Sequence, residues 1–276
     1  MTRRLILHIG APKCGSTFLQ RAFLQNQSML GDHDIAYPTP SGAHPGNGLA
    51  ALSGPEMQRI LKEYQQKTIL LSHEDLFAQA AHATNLVDLQ TSGQITVEIL
   101  VFLRPFSEFI FGDYSQFIKQ NYRSYCAAQS AFEGRSFAQV AVDRSRAIPV
   151  AGFLRAWRKS FGEHSVRVAH FRDIRSVLED LLGQPALNWS VPRQASNPSL
   201  RMVDCDRIVA AINRGAPEAQ IQAMINAGLR DAGQDDPGRT TERREWIEAL
   251  FDHQNTLLEH EFGYDNRYAN ITASAA

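Results

Sequence analysis

The sequence has no long apolar run. Its hydrophobic stretches fall far short of the ~20 residues a bilayer crossing needs, so no membrane span is expected. The first residues, Met1 to Ile9, have a basic start, but their apolar run of five is broken by His8, too short for the core of an export signal. Cysteine is scarce: Cys14, Cys126 and Cys205 are odd in number, far apart and in no metal-ligand spacing. A disulfide framework and a zinc site are therefore not expected, and a reducing, cytoplasmic setting is. There is no excess of charge either. Twenty-eight basic residues against 29 acidic ones give a net charge of −1. No global field recruits nucleic acid or an anionic membrane, and any anion site must be local. Internal repeats are absent. The 276 residues, 43% of them hydrophobic, suffice for a sizeable core, and a single domain over 1–276 is expected.

One further absence is specific. Residues 10–17 read Gly-Ala-Pro-Lys-Cys-Gly-Ser-Thr. They follow an apolar run, 5–9, and precede a helical pattern over 18–24. The order is strand, glycine turn, helix, which points backbone N–H groups and a helix N-terminus at one spot and suits a phosphate. A nucleotide P-loop has lysine directly after its second glycine, reaching the β- and γ-phosphates. That position is Ser16 here, and the lysine stands three residues earlier, at Lys13. Such a loop suits a phosphate but not a triphosphate.

Alternating patterns continue along the chain. Residues 31–54 are rich in Gly, Pro, Ser and His and form a long loop, a candidate for substrate contact. A helix is expected over 55–66, a strand over 68–72, a helix over 75–91 and a strand over 95–103 ending at Arg104. A helix follows over 105–119, then an irregular acceptor-contact segment over 121–136, a short helix from Phe137 and a helix over 149–161. A strand over 166–171 and a helix over 174–182 come next, and 200–262 is helical. The tail, 270–276, is expected to fray. Alternation argues an α/β fold with a mostly parallel sheet and helices on both faces. In such sheets the strand ends near residues 10, 72 and 104 converge on the ligand-binding edge.

The segment Pro12-Lys13-Cys14-Gly15-Ser16-Thr17-Phe18-Leu19-Gln20 resembles the phosphosulfate-binding loop of sulfotransferases, which use 3′-phosphoadenosine 5′-phosphosulfate (PAPS) and release 3′-phosphoadenosine 5′-phosphate (PAP). The loop style is similar to bacterial and carbohydrate-type members. The resemblance implies a P-loop-like core, a bound PAPS, no metal, and Pro12 to Phe18 as cofactor contacts. It implies that Lys13 stabilises the leaving phosphate. It makes Arg104 a 3′-phosphate ligand. The family's partner serine eight residues on is Gly112 here, leaving Ser115 or the Gly112 amide in that role. The run Gly112-Asp113-Tyr114-Ser115-Gln116 resembles Ser-Asp-Tyr-Thr-Gln of carbohydrate sulfotransferases. Ser72-His73-Glu74 resembles a Ser-x-Glu near the acceptor in related enzymes.

Transfer to a hydroxyl or amine needs a base. Glu74 is the first choice, His73 the second and His44 the third. Glu74 reads equally as the acid of a helix start capped by Ser72. Arg193 to Leu200 resembles a basic segment that closes over the nucleotide, or is a linker with Asn197 or Ser199 as a helix cap. The implied acceptor is a glycan, glycolipid or small metabolite. A small-molecule or nucleotide kinase, or a non-catalytic nucleotide-binding protein, is the alternative. The sequence leaves the strand order and oligomeric state open.

Overall fold

The computed structural model describes residues 2–183, 185–192 and 197–268. The chain divides into two compact units. The first comprises Met1–Arg104, Val150–Ser196 and His260–Tyr264; the second comprises Pro105–Pro149, Asn197–Glu259 and Asp265–Ala276.

The first unit is an α/β sandwich. In chain order it holds β1 (Arg3–Ile9), α1 (Ser16–Gln25), α2 (Gln27–Asp32), β2 (Ile35–Ala36), α3 (Gly54–Glu63), β3 (Thr68–His73), α4 (Thr84–Thr91) and β4 (Ile95–Leu103). After the second unit's helices α5 (Phe106–Ala128) and α6 (Phe137–Ala147), the chain returns with α7 (Val150–Phe161), β5 (Val166–His170) and α8 (Ile174–Leu181). The five strands are parallel, in the order β2-β3-β1-β4-β5. β1 sits where the order reverses: the chain goes to one side for β2 and β3, then crosses to the other for β4. α1 packs against β3, while α4 and α7 pack against β4 and against each other, the arrangement that right-handed crossovers of this strand order produce. Leu5, Ile6, Leu7, Leu70, Leu71, Val101 and Phe102 are fully buried because both faces are covered.

The expected helix over 75–91 is broken. Residues 74–78 and 80–82 form tight 3₁₀ turns before α4. The Phe77 carbonyl there accepts the indole N–H of the fully buried Trp157 from α7, at 3.1 Å. A tertiary partner thus takes a carbonyl that a longer helix would have used.

The second unit is helical: α5 and α6, then α9 (Met202–Asn213), α10 (Glu218–Arg230), α11 (Thr241–Leu250) and α12 (Asp252–Phe262), whose last residues belong to the first unit. α5 runs to Ala128, so 121–128 is helix and not the irregular segment expected. Its buried side packs on α9, α10 and α11, which sustains nine residues more than the apolar pattern alone suggested. The cap of α9 also differs. Neither Asn197 nor Ser199 caps it; Asp236, distant in sequence, accepts the N–H groups of Met202 (2.6 Å) and Val203 (3.2 Å). Residues 193–196, the first half of the expected closing segment, and 269–276, with the expected fraying tail, lie outside the described residues.

Candidate active site

The carboxyl end of β1 opens into the loop 10–15. Gly10 has no space for a side chain: a Cβ there would come within 2.2 Å of Ser16 Oγ and 3.0 Å of Glu74 Cα. Lys13 and Gly15 both have left-handed backbone, with φ of 62° and 89°, which coils the turn tightly and costs Lys13 local strain. α1 then starts at Ser16 with no side-chain cap on its amides and no acid in its first turn. That leaves an N-terminus open to an anion. Ser16 Oγ is buried without a hydrogen-bond partner, as expected of a hydroxyl that waits for a ligand. Thr17 and Phe18 are half-buried beside it, and Phe18 stacks on Trp189 at 6.1 Å.

Arg104 ends β4 near this loop. Its guanidinium lies over the Phe171 ring, 4.3 Å from the centroid, and its Nε is buried without a hydrogen-bond partner. It also faces Cys14. Burial pushes the Cys14 thiol up to about 11, and the adjacent Arg104 only partly offsets this. Cys14 is therefore an inert, packed thiol whose Sγ donates to the Pro12 carbonyl at 3.4 Å. Beside the loop lies a cleft of about 340 Å³ lined by Gly15, Phe18, Phe171, Arg172, Ile174 and Arg175. The last four were not singled out in the sequence; the pattern Phe171-Arg172-Asp173-Ile174-Arg175 after a strand is the signal that could have found them.

The carboxyl end of β3 holds the other half. Gly10 N–H donates to the His73 carbonyl at 3.1 Å, tying the two strand ends together. Glu74 is half-buried. Its Oε2 accepts from Gln20 Nε2 at 3.2 Å and its Oε1 lies 3.1 Å from His44 Nε2. Burial pushes the Glu74 carboxyl up, but Gln20 and His44 together outweigh it and hold the group below the usual carboxylate range. Gln20 also donates to Ser72 Oγ (3.2 Å), which meets His8 Nδ1 at 2.8 Å. His8 is buried, and burial lowers its imidazole to about 4 against a small opposing pull from Glu74. His8 is therefore neutral near pH 7.

The cap expected of Ser72 belongs instead to His73, whose Nδ1 accepts the Asp75 N–H at 3.2 Å. Ser72 is the last fully buried strand position, with its hydroxyl turned to His8 and Gln20. Burial lowers the His73 imidazole, and Glu74 partly opposes this. Its ring lies 4.6 Å from that of His44.

His44, the third choice from sequence, is thus the histidine that touches Glu74. A cleft of about 350 Å³ adjoins it, walled by Pro38, Thr39, Leu49, Glu56, Arg59 and Ile60 with His44 and His73 at one end.

Gly112 and Ser115 lie in the second unit, inside α5. The Gly112 amide is at a mid-helix position where it bonds within the helix. Ser115 is fully buried and its Oγ accepts the Leu200 N–H at 2.8 Å. Among the described residues, no cluster of three or more His, Cys, Asp or Glu side chains is placed to hold a metal ion. None of the described helices is long and apolar enough to cross a membrane.

No family model matches the chain, and no curated protein does. Among solved structures, the chain matches the crystal structure of a sulfotransferase from Alicyclobacillus acidocaldarius at 15% identity, over 85% of this chain and 100% of that one, with a TM-score of 0.42. No residue role is carried across from it.

Proposed function

We propose that the protein is a PAPS-dependent sulfotransferase acting on a hydroxyl or amine. The observation that carries this reading is the phosphate loop. Its lysine is at 13 and not 16, its helix N-terminus is free of caps and acids, and a buried, unpartnered hydroxyl sits within it. The residues fit the donor. Lys13, the amides of Gly15 to Thr17 and Ser16 Oγ would hold the 5′-phosphosulfate. Arg104, with an unpartnered Nε beside the Phe171 ring, would take the 3′-phosphate, for which a guanidinium is well shaped. The cleft at Phe18, Phe171 and Arg175 has room for the nucleoside.

Bound PAPS would supply a sulfuryl group on a phosphate leaving group. The chain's own part is to place and deprotonate the acceptor. The cleft walled by 38–60 would bring an acceptor to the end of β3. There the Glu74 carboxylate would take the acceptor proton as the acceptor oxygen or nitrogen bonds to sulfur, and Lys13 would meet the charge left on the phosphate oxygen that sulfur leaves. With Ser115 committed to Leu200 and the Gly112 amide inside α5, Arg104 is the strongest of the three sequence-derived 3′-phosphate candidates. The acceptor class suggested by the loop style, a glycan, glycolipid or small metabolite, belongs to this proposal.

Titration calorimetry tests it. PAP should bind without metal, ATP-Mg²⁺ weakly or not at all, and Arg104→Ala should weaken PAP much more than adenosine 5′-phosphate. Tight ATP-Mg²⁺ binding with none for PAP would replace the proposal with a kinase.

A further inference from the structure

The segment His44-Pro45-Gly46-Asn47-Gly48 is stitched to the end of β3. Asn47 N–H (2.9 Å) and Gly48 N–H (3.1 Å) both donate to the Ser72 carbonyl, and Asn47 Oδ1 accepts the Ser72 N–H at 2.8 Å. Tyr37 donates its hydroxyl to the Pro45 carbonyl at 2.8 Å. Gly46 is enclosed: a Cβ there would lie 2.9 Å from both His73 Cδ2 and the Ser72 carbonyl oxygen, and 3.0 Å from Gln20 Nε2. This close docking fixes where His44 stands.

It also fixes its proton. Gly46 N–H donates to His44 Nδ1 at 3.0 Å. A backbone N–H is always the donor, so Nδ1 is the acceptor and carries no hydrogen. The one hydrogen of a neutral imidazole is then on Nε2, 3.1 Å from Glu74 Oε1. An imidazolium would set Nδ1–H against Gly46 N–H. With Nδ1 occupied and Nε2 donating, neither nitrogen is open to an acceptor proton. Glu74 receives an N–H from His44 on Oε1 and from Gln20 on Oε2, with its own backbone N–H beside them, and a carboxylate with about four lone-pair sites still has room for an acceptor proton.

We propose that His44 is a positioning residue: a neutral imidazole, held in its Nε2–H tautomer by the Gly46 amide, that aims the Glu74 carboxylate at the acceptor together with Gln20. This rests on the sulfotransferase reading for its purpose but not for its geometry. The titratable groups that face Glu74 are His8 from β1, Tyr37 and His44 from the loop, and His73 and Asp75 on either side of it in the chain.

The test is nuclear magnetic resonance on the full-length protein without nucleotide. Imidazole ¹⁵N shifts, with the His44 signal identified by its loss in His44→Gln, should show the neutral Nε2–H form near pH 7. An Nδ1–H tautomer or an imidazolium overturns the proposal. The Glu74 carboxyl ¹³C midpoint should rise by about one pH unit in His44→Leu, the size of a hydrogen bond to a charged group. It should rise less in His44→Gln, whose amide can still donate. An unmoved midpoint in His44→Leu overturns it as well.

PAP release from PAPS, with water as acceptor, gives the functional arm. His44→Leu should lose at least about tenfold in kcat with little change in the KM for PAPS, and His44→Gln should recover most of it. If the two variants are equally impaired, His44 is itself the base and the proposal fails. If PAP does not bind at all, the sulfotransferase reading fails, while the tautomer and midpoint results still decide the positioning role.

Discussion

Lys13 is held in left-handed backbone inside the phosphate loop, a conformation that costs a non-glycine residue on the order of 1–3 kcal/mol. In the proposed reaction its ammonium would meet the negative charge that grows on the departing phosphate. One electrostatic contact of that kind contributes roughly 3–4 kcal/mol to a transition state. Lys13→Ala should therefore slow PAP release from PAPS by about two orders of magnitude or more, measured by single-turnover assay, while the melting temperature holds, because alanine keeps the Cβ and with it the same left-handed strain.

His8 makes a different prediction. It is buried against Ser72 and Phe102, and burial lowers its pKa from 6.5 to about 4. The unfolded chain then binds this proton more readily than the folded one. The stability it carries is complete above pH 6.5 and is lost as pH falls towards 4, by about 3 kcal/mol in all. Urea titrations between pH 7 and 4 should show that slope, and His8→Gln should flatten it. An equal slope in the variant would mean other groups set the acid limit.

At the scale of elements, the loop from β1 to α1 depends on close approach as much as on charge. Gly10 has the Ser16 side chain and the Glu74 backbone within contact of a missing side chain. Gly10→Ala should push Ser16 out of the loop, lower PAP affinity at least about tenfold and cost about 1–3 kcal/mol of stability through overpacking, read by calorimetry and thermal melting. Unchanged affinity would show that Ser16 can swing aside at no cost.

The segment 44–48 is a second element built on backbone contact. It lies in the long loop expected over 31–54, and it works as a short edge docked on Ser72, the penultimate residue of β3, with three hydrogen bonds to that residue's backbone. The helix expected over 75–91 failed for a related reason: its apolar spacing was right for a buried segment, but the Phe77 carbonyl is taken by Trp157.

For the whole molecule, the central position of β1 matters most. Because β3 and β4 flank it on opposite sides, the carboxyl ends of all three strands bring Lys13, Glu74 and Arg104 to one edge of the first unit's sheet. A ligand that binds only the folded protein stabilises it by mass action. At 100 times its dissociation constant, PAP should add about 2.7 kcal/mol, seen as a rise in melting temperature that grows with PAP concentration. Adenosine 5′-phosphate at the same concentration should give much less, since it lacks the 3′-phosphate that Arg104 would hold. Equal shifts would remove Arg104 from the nucleotide site.

The sequence by itself determined the fold class, the loop and the strand-end arginine. These rest on local signals: apolar runs of strand length, glycines at fixed offsets, and helical periodicity, all of which act within about ten residues. It also named Glu74, His73 and His44 in that order, but could not say which of them meet, because proton chemistry depends on which donors meet which lone pairs. Only the tertiary structure decided that. It carried His44 across thirty residues onto Glu74, closed its Nδ1 with the Gly46 amide, and turned Ser115 inward to Leu200. Each of these is a contact between segments distant in the chain, fixed by packing and hydrogen-bond satisfaction and not by local propensity.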